Sequence, residues 1–251
     1  MQTIGIRYTQ SEISKIRHSN FIVATVHQKL KELIQVGITT EELDREAETV
    51  IEQLGGKPAF KGYKGFPYAT CISVNDTIVH GFPSKYLLKE GDLVSVDVGA
   101  VKSGHFGDSC FSVVVGENDE ALRLVASAYD CLFSAISILK DGVTTGDIGS
   151  VIESTASNSG YDVVRDFVGH GIGCILHDLP HIKNYGKPKF GFTLKEGMVI
   201  CIEPMLTIGS AESYKDKNGW EVRTKDGKLA AHVEHCVLIT KNGYEILSLV
   251  P

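Results

Sequence analysis

The sequence predicts an α+β fold built from two related halves, and three observations carry that prediction. Amphipathic helical stretches are followed by β-branched, alternating runs that suit strands. The order of these elements restarts near the middle of the chain, and two short motifs recur at almost the same offset. With 251 residues, 43% of them hydrophobic, the chain is long enough to bury a substantial core.

Residues from about Ser11 to Val36 place Ile13, Ile16, Val23, Val26, Leu30 and Leu33 at helical spacing. Gly37 ends that helix, and Thr39 starts a second one with Glu42 three residues on, the pattern of a capping box. Gly55-Gly56 closes the second helix and a Gly/Pro/aromatic segment follows. LVSVDVGA and FSVVVG then read as strands, with KSGHFGDS as the turn between them. A third helix over Glu120 to Leu139 begins the second half, and Gly142 ends it. Gly142-Val143-Thr144-Thr145 echoes Gly37-Ile38-Thr39-Thr40 at an offset of 105, and KEGMVICIEP from Lys195 echoes KEGDLVSVDV from Lys89 at an offset of 106. The agreement of the two offsets predicts one domain over 1–251 with duplicated halves at about 10–116 and 117–248.

A formal net charge of −6 argues against nucleic acid or an anionic membrane as the principal partner. The first residues lack a signal-peptide apolar core and no run reaches membrane-span length, so the cytoplasm is the expected compartment. A monomer is expected, since no exposed apolar stripe is evident in the pattern. Cys71, Cys110, Cys131, Cys174, Cys201 and Cys236 form no Cys-x-x-Cys pair, which points to reduced thiols.

The informative residues are acids in apolar surroundings. Asp97 sits in Val96-Asp97-Val98, Asp108 opens the next strand, Glu203 follows Cys201-Ile202, and Glu234 lies in AAHVEHCV. A carboxylate in such a setting is costly unless paired or bound to a cation. Any one of them has an ordinary alternative as a turn cap, a lysine partner or a solvated strand residue. The second echo, however, aligns Asp97 with Glu203, so the acids should converge between the halves, where ligand sites are favoured. Two divalent cations would offset their repulsion. His170, set in Gly169-His170-Gly171, is a further candidate ligand, its glycines leaving space for a bound group. Oxygen-rich donors with one imidazole suit Mn, Fe(II), Co or Zn. His80 and His177 are candidates for acid/base or hydrogen-bonding roles. His232 can at best support the ligands from the strand face of Glu234, and His18, His27, His105, His181 and His235 are expected to be structural.

The ordered set Asp97, Asp108, His170, Glu203 and Glu234 resembles the metal ligands of the methionine aminopeptidases, which share a pita-bread fold with aminopeptidase P, prolidase and creatinase. The resemblance runs along nearly the whole chain. Its most specific piece is FVGHGIGCILHDLPHIKNY from Phe167, similar to the type I signature; CISVNDTIVHGFP from Cys71 and NGWEVRTKDGKLAAHVEH match as well. The interval from Ile202 to Glu234 leaves no room for the helical insertion of type II enzymes, so the short bacterial form of peptidase family M24 is expected.

That resemblance implies a function and a set of roles. The enzyme would remove the initiator methionine from nascent chains near the ribosome, preferring a small second residue, with a water activated by two metal ions attacking the scissile carbonyl. Asp97 would hold one ion, His170 and Glu203 the other, and Asp108 and Glu234 would bridge. Glu203 would shuttle the proton, His177 would polarise the carbonyl and His80 would contact the scissile nitrogen. Phe60, Tyr63, Phe66, Cys71 and Trp220, with His80 and His177, would form the methionine pocket. Cys174, Leu176 and Asp178 depart from the Arg, Phe and Glu usual in the family, which puts the pocket shape beside His177 in question. The competing readings are a proline-directed peptidase of the same fold and a non-catalytic relative that binds a peptide, histone or RNA. Intact ligands oppose the latter.

Overall fold

The computed structural model describes residues 5–249. Its elements in chain order are α1 (Gln10–Leu33), α2 (Thr40–Gln53), β1 (Lys57–Pro58), β2 (Thr70–Val74), β3 (Thr77–Val79), β4 (Leu93–Lys102), β5 (His105–Val114), α3 (Asp119–Ser137) and α4 (Thr145–Asn158). There follow β6 (Asp162–Val163), β7 (Gly169–Gly171), β8 (Asp178–Ile182), β9 (Val199–Ile202), β10 (Met205–Thr207), β11 (Ser213–Lys215), β12 (Val222–Thr224), β13 (Ala230–His232), β14 (His235–Ile239) and β15 (Tyr244–Ile246). No helix among the described residues is long and apolar enough to cross a membrane.

The helices start where side chains can satisfy their first N–H groups. Thr9, Thr39 and Thr144 each accept from the backbone three residues on, and Glu12, Glu42 and Asp147 reach back to complete capping boxes. The first helix stops at Leu33 and the third at Ser137, a few residues short of the ends that periodicity predicts, because Ile34 is already extended and Ile138 closes the last turn. Gly37 and Gly142 adopt φ of 91° and 92°, a left-handed turn that glycine takes without a Cβ penalty.

Two cores lie side by side. In one, Ile22, Val26 and Leu30 of α1 and Leu43, Ala47 and Ile51 of α2 cover Val94, Val96 and Val98 of β4. In the other, Leu124, Ala128 and Leu132 of α3 and Ile148 and Ile152 of α4 cover Ile200, Ile202 and Val237. The first core backs onto a sheet in which β4 is flanked by β1 and β2 and forms a ten-residue antiparallel hairpin with β5. The second backs onto a sheet ordered β15-β14-β9-β7-β8. The turn between β4 and β5 is only Ser103-Gly104, both at positive φ, as a tight two-residue hairpin requires. Asp108 is therefore three residues inside β5 and does not open it as expected. A two-residue turn lets pairing run to Lys102 and His105, so the segment read as a loop is strand.

His27 is buried in the first core, 4.8 Å from Phe111 in an edge-on contact, and its Nε2 is buried with no partner among the described residues. Burial pushes its pKa down to about 3, helped by nearby Lys31. The folded chain therefore stays neutral at His27 while the unfolded chain protonates near the ordinary value of about 6.5. The native state binds fewer protons across that window, so this contribution to stability is lost as pH falls through it. Urea unfolding at about pH 7 and about pH 4.5 should show the wild type losing roughly 2 kcal/mol more than His27→Gln. Equal losses would mean that His27 is charged in the folded chain.

Candidate metal centre

The core-facing valines of β4 settle where Asp97 points. Val94, Val96 and Val98 enter the core beneath α1 and α2, so Ser95, Asp97 and Gly99 face the opposite side. Register pairs Asp97 with Cys110 and Gly99 with Asp108, which makes the two aspartates diagonal neighbours on one face. β9 repeats the device: Ile200 and Ile202 enter the second core, Cys201 turns away from it, and Glu203 follows on that same side. The strand ends before Glu203, because Pro204 has no N–H to continue the ladder. Asn184 donates from Nδ2 to the Glu203 carbonyl at 3.0 Å and steadies it there.

Glu234 arrives by a crossing between sheets. It lies between β13 and β14, yet its backbone N–H donates to Cys110 at 2.9 Å and its carbonyl accepts from Ser109 Oγ at 2.6 Å. Ser112 Oγ donates to the nearby His232 carbonyl at 2.7 Å. These bonds bind the segment onto β5 and set Glu234 beside Asp108.

His170 is the middle residue of β7, which runs between β8 and β9. The expectation that its flanking glycines leave space for a ligand is corrected here. A Cβ on Gly169 would lie 2.3 Å from the Cys201 carbonyl oxygen, and one on Gly171 would lie 2.2 Å from that of Leu179, so backbone fills the space. His170 Nδ1 donates to the Gly171 carbonyl at 3.0 Å, which leaves Nε2 as the free lone pair. Nε2 lies 3.8 Å from Asp108 Oδ2 and 3.7 Å from Glu203 Oε1, and His232 Nε2 lies 3.6 Å from Glu203 Oε2.

Burial lifts every one of these carboxyls. Asp97 and Glu203 are each pushed up to about 7, in Glu203 against the opposing pull of His170. Asp108 and Glu234 lie well above the ordinary range, through burial first and then the neighbouring acids. Burial lowers His170 and His232 and takes His80 down to about 4. His177 is also lowered, by loss of water around its ring and by His170.

Divalent metal fits this arrangement. Asp97 Oδ1, Asp108 Oδ1 and Glu234 Oε1 are buried with no hydrogen-bond partner among the described residues. The His170 separations are too long for hydrogen bonds. They suit two donors that each sit about 2.1 Å from a shared ion. Ligand atoms of Asp108, His170, Glu234 and Cys201 all lie within 4.8 Å of one another. Cys201, singled out by nothing in the sequence, is one of that cluster.

The acids floor a cavity of about 320 Å³ walled by Phe60, Tyr63, Phe66, Cys71, His80, His177 and Trp220. Every residue that the sequence nominated as a ligand, catalytic group or pocket wall lines this one space. Phe66 meets Trp220 edge-on at 5.2 Å, and His177 packs edge-on to His170 at 4.5 Å. His181, expected to be structural, lies on the wall, as do Lys64, Asp166, Phe167 and Val168. His232 lines it too. The alternation that puts His232 on the face of Glu234 was the one available signal for it; the place of His181 depends on the approach of β8.

The sequence profile of metallopeptidase family M24 matches residues 14–241. The chain belongs to metallopeptidase family M24. It is 41% identical over 243 residues to methionine aminopeptidase 1 of Bacillus subtilis, covering 96% of this chain and 98% of the relative. It is 43% identical over 251 residues to the methionine aminopeptidase of Aquifex aeolicus, covering 96% and 97%. The crystal structure of methionine aminopeptidase from Thermotoga maritima superposes with a TM-score of 0.97 at 41% identity, over 98% of this chain and 100% of that one. Prolidase from Pyrococcus furiosus superposes with a TM-score of 0.80 at 27% identity, over 98% of this chain and 66% of that one. The fold is thus the pita-bread fold of the M24 enzymes, and the chain is a metallopeptidase.

Raised carboxyl pKa values carry the opposite linkage to His27. Metal-free, the folded chain holds protons that the unfolded chain has released, so it gains stability as pH falls toward the ordinary carboxylate range. Asp108→Asn removes one of the repelling acids and should raise the metal-free protein's stability by about 1 kcal/mol near neutral pH. The same change should abolish most of the thermal shift that Mn(II) or Co(II) gives the wild type. Scanning calorimetry with and without metal tests both; an undiminished metal-dependent shift in the variant would remove Asp108 from the ligand set.

Proposed function

We propose that this chain removes N-terminal methionine from nascent proteins and peptides, with preference for a small second residue. The carrying observation is that four acids and one imidazole converge on the floor of a pocket walled by aromatic rings and a thiol. Near-complete overlap with methionine aminopeptidases supports that specificity over X-Pro cleavage, since the prolidases of Pyrococcus furiosus and Pyrococcus horikoshii are covered over only 66% and 64% of their chains.

In this reading Asp97, Asp108, His170, Glu203 and Glu234 would together hold two divalent ions. Mn, Fe(II), Co and Zn all suit these donors. Two such ions would supply Lewis acidity toward the scissile carbonyl and acidify a water. Glu203 can take a proton from the attacking water and return it to the departing amine. His177 Nδ1 is 3.1 Å from the Tyr63 hydroxyl. If that hydroxyl donates, Nδ1 accepts and the ring's Nε2–H is left to stabilise the developing oxyanion. His80 is held neutral by burial and sits at φ 59°, a strained conformation for a residue with a side chain. From there it serves the scissile nitrogen. Phe60, Phe66, Cys71 and Trp220 offer the methionine thioether a soft, polarisable wall. The setting proposed is the cytoplasm, on emerging chains near the ribosome, as a monomer with no stable nucleic-acid or membrane contact.

Asp108→Ala and His170→Ala should each lower hydrolysis of a Met-Gly peptide by roughly a thousandfold or more with unchanged circular dichroism. Normal turnover by either variant, or X-Pro cleavage without methionine release by the wild type, would refute the assignment. Phe66→Ala should act on binding, raising KM about tenfold with a smaller change in kcat; a loss confined to kcat would place Phe66 outside the methionine pocket.

A further inference from the structure

Away from the catalytic pocket, a second group of metal-ligating side chains meets where the two halves touch. Glu12 comes from the first turn of α1, His105 is the first residue of β5, and Cys174 lies in the loop after β7. One donor atom from each lies within 4.8 Å of the other two, and none of the three residues lines the pocket. We propose that Glu12, His105 and Cys174 form a peripheral site for a thiophilic divalent cation of the Zn(II) class.

Each ligand is held in place before any cation arrives. His105 is buried, and its Nδ1 donates to the Ser103 carbonyl at 3.0 Å, so Nε2 keeps a lone pair directed at Cys174 Sγ, 3.5 Å away. An imidazole oriented by a carbonyl in this way is the usual arrangement of a zinc-binding histidine. Glu12 commits Oε2 to the Thr9 cap, at 2.8 Å from the backbone nitrogen and 2.7 Å from Oγ1, which leaves Oε1 for a cation. Cys174 is fixed on both sides: its N–H donates to the Tyr8 hydroxyl at 3.2 Å, and the Gly173 carbonyl accepts from Phe106 at 2.7 Å. Gly173 itself admits no side chain, since a Cβ there would lie 2.1 Å from the Tyr8 ring.

One sulfur, one nitrogen and one oxygen donor suit zinc, with a fourth position left to water. Binding displaces the Cys174 thiol proton to solvent. The cation would clamp α1 and β5 to the loop that runs from His170 to His177, so occupancy should also raise the unfolding temperature.

Cys174 is exposed whereas the other five cysteines are buried, so alkylation of the native protein by iodoacetamide reports on Cys174. Zn(II) should slow that reaction roughly tenfold or more, and EDTA should restore it. Glu12→Gln, which keeps the capping hydrogen bond, should lose most of the protection. Metal analysis after equilibration with Zn(II) should find about one equivalent less in Cys174→Ser than in the wild type. Unprotected alkylation, protection that survives Glu12→Gln, or equal zinc content in the wild type and Cys174→Ser would each overturn the proposal.

Discussion

The mutual repulsion of Asp97, Asp108, Glu203 and Glu234 in one buried space is the constraint around which this structure is organised. At the floor of the pocket their carboxyls cannot all ionise unless positive charge joins them, and burial raises every one of them. A buried charged cluster without compensation is destabilising. The chain must therefore hold the acids together by interactions that do not depend on their charge, and those interactions are found in the backbone and the two cores.

Each of the two cores solves the same problem in the same way. Branched residues on alternate positions of β4 and β9 are pulled into a helix-covered core, and the intervening positions are thereby turned to the opposite face, where the cavity lies. The acid is placed by the burial of its neighbours. Asp97 needs only to sit between Val96 and Val98, and Glu203 needs only to follow Ile202. Glu234 is placed differently, by backbone and hydroxyl bonds from Cys110, Ser109 and Ser112 across the seam between sheets. The small residues of β5 matter for this reason: Ser109 and Ser112 carry the hydroxyls that hold the crossing segment.

The side chains around the acids are of two kinds, aromatic rings and imidazoles. Phe66 meets both Trp220 and Phe82 edge-on, and Phe66 and Trp220 line the cavity as an aromatic wall. His177 and His80 line the same cavity as the acids, and the pKa of each is lowered, so each can donate a hydrogen bond without adding charge. The Tyr63 hydroxyl links the two kinds through His177.

Much of this was legible in the residues themselves. Thr39 with Glu42 marked a helix start, Gly37 and Gly142 marked equivalent turns, and an aspartate between valines marked a charge that needed a counter-ion, because each rests on local geometry or on a single residue's solvation. The offset between Asp97 and Glu203 also pointed to a long-range meeting, and both residues line the one cavity. What the tertiary structure alone decided was which backbones approach which. Gly169 and Gly171 proved to be there for the strands on either side. His181 and Cys201 joined the pocket and the ligand cluster because β8 and β9 bring them there. His105 met Cys174 and Glu12 across elements far apart in the chain. A sequence records what each residue needs from its surroundings, but the particular neighbours that meet the need are fixed only when strands from distant segments pair.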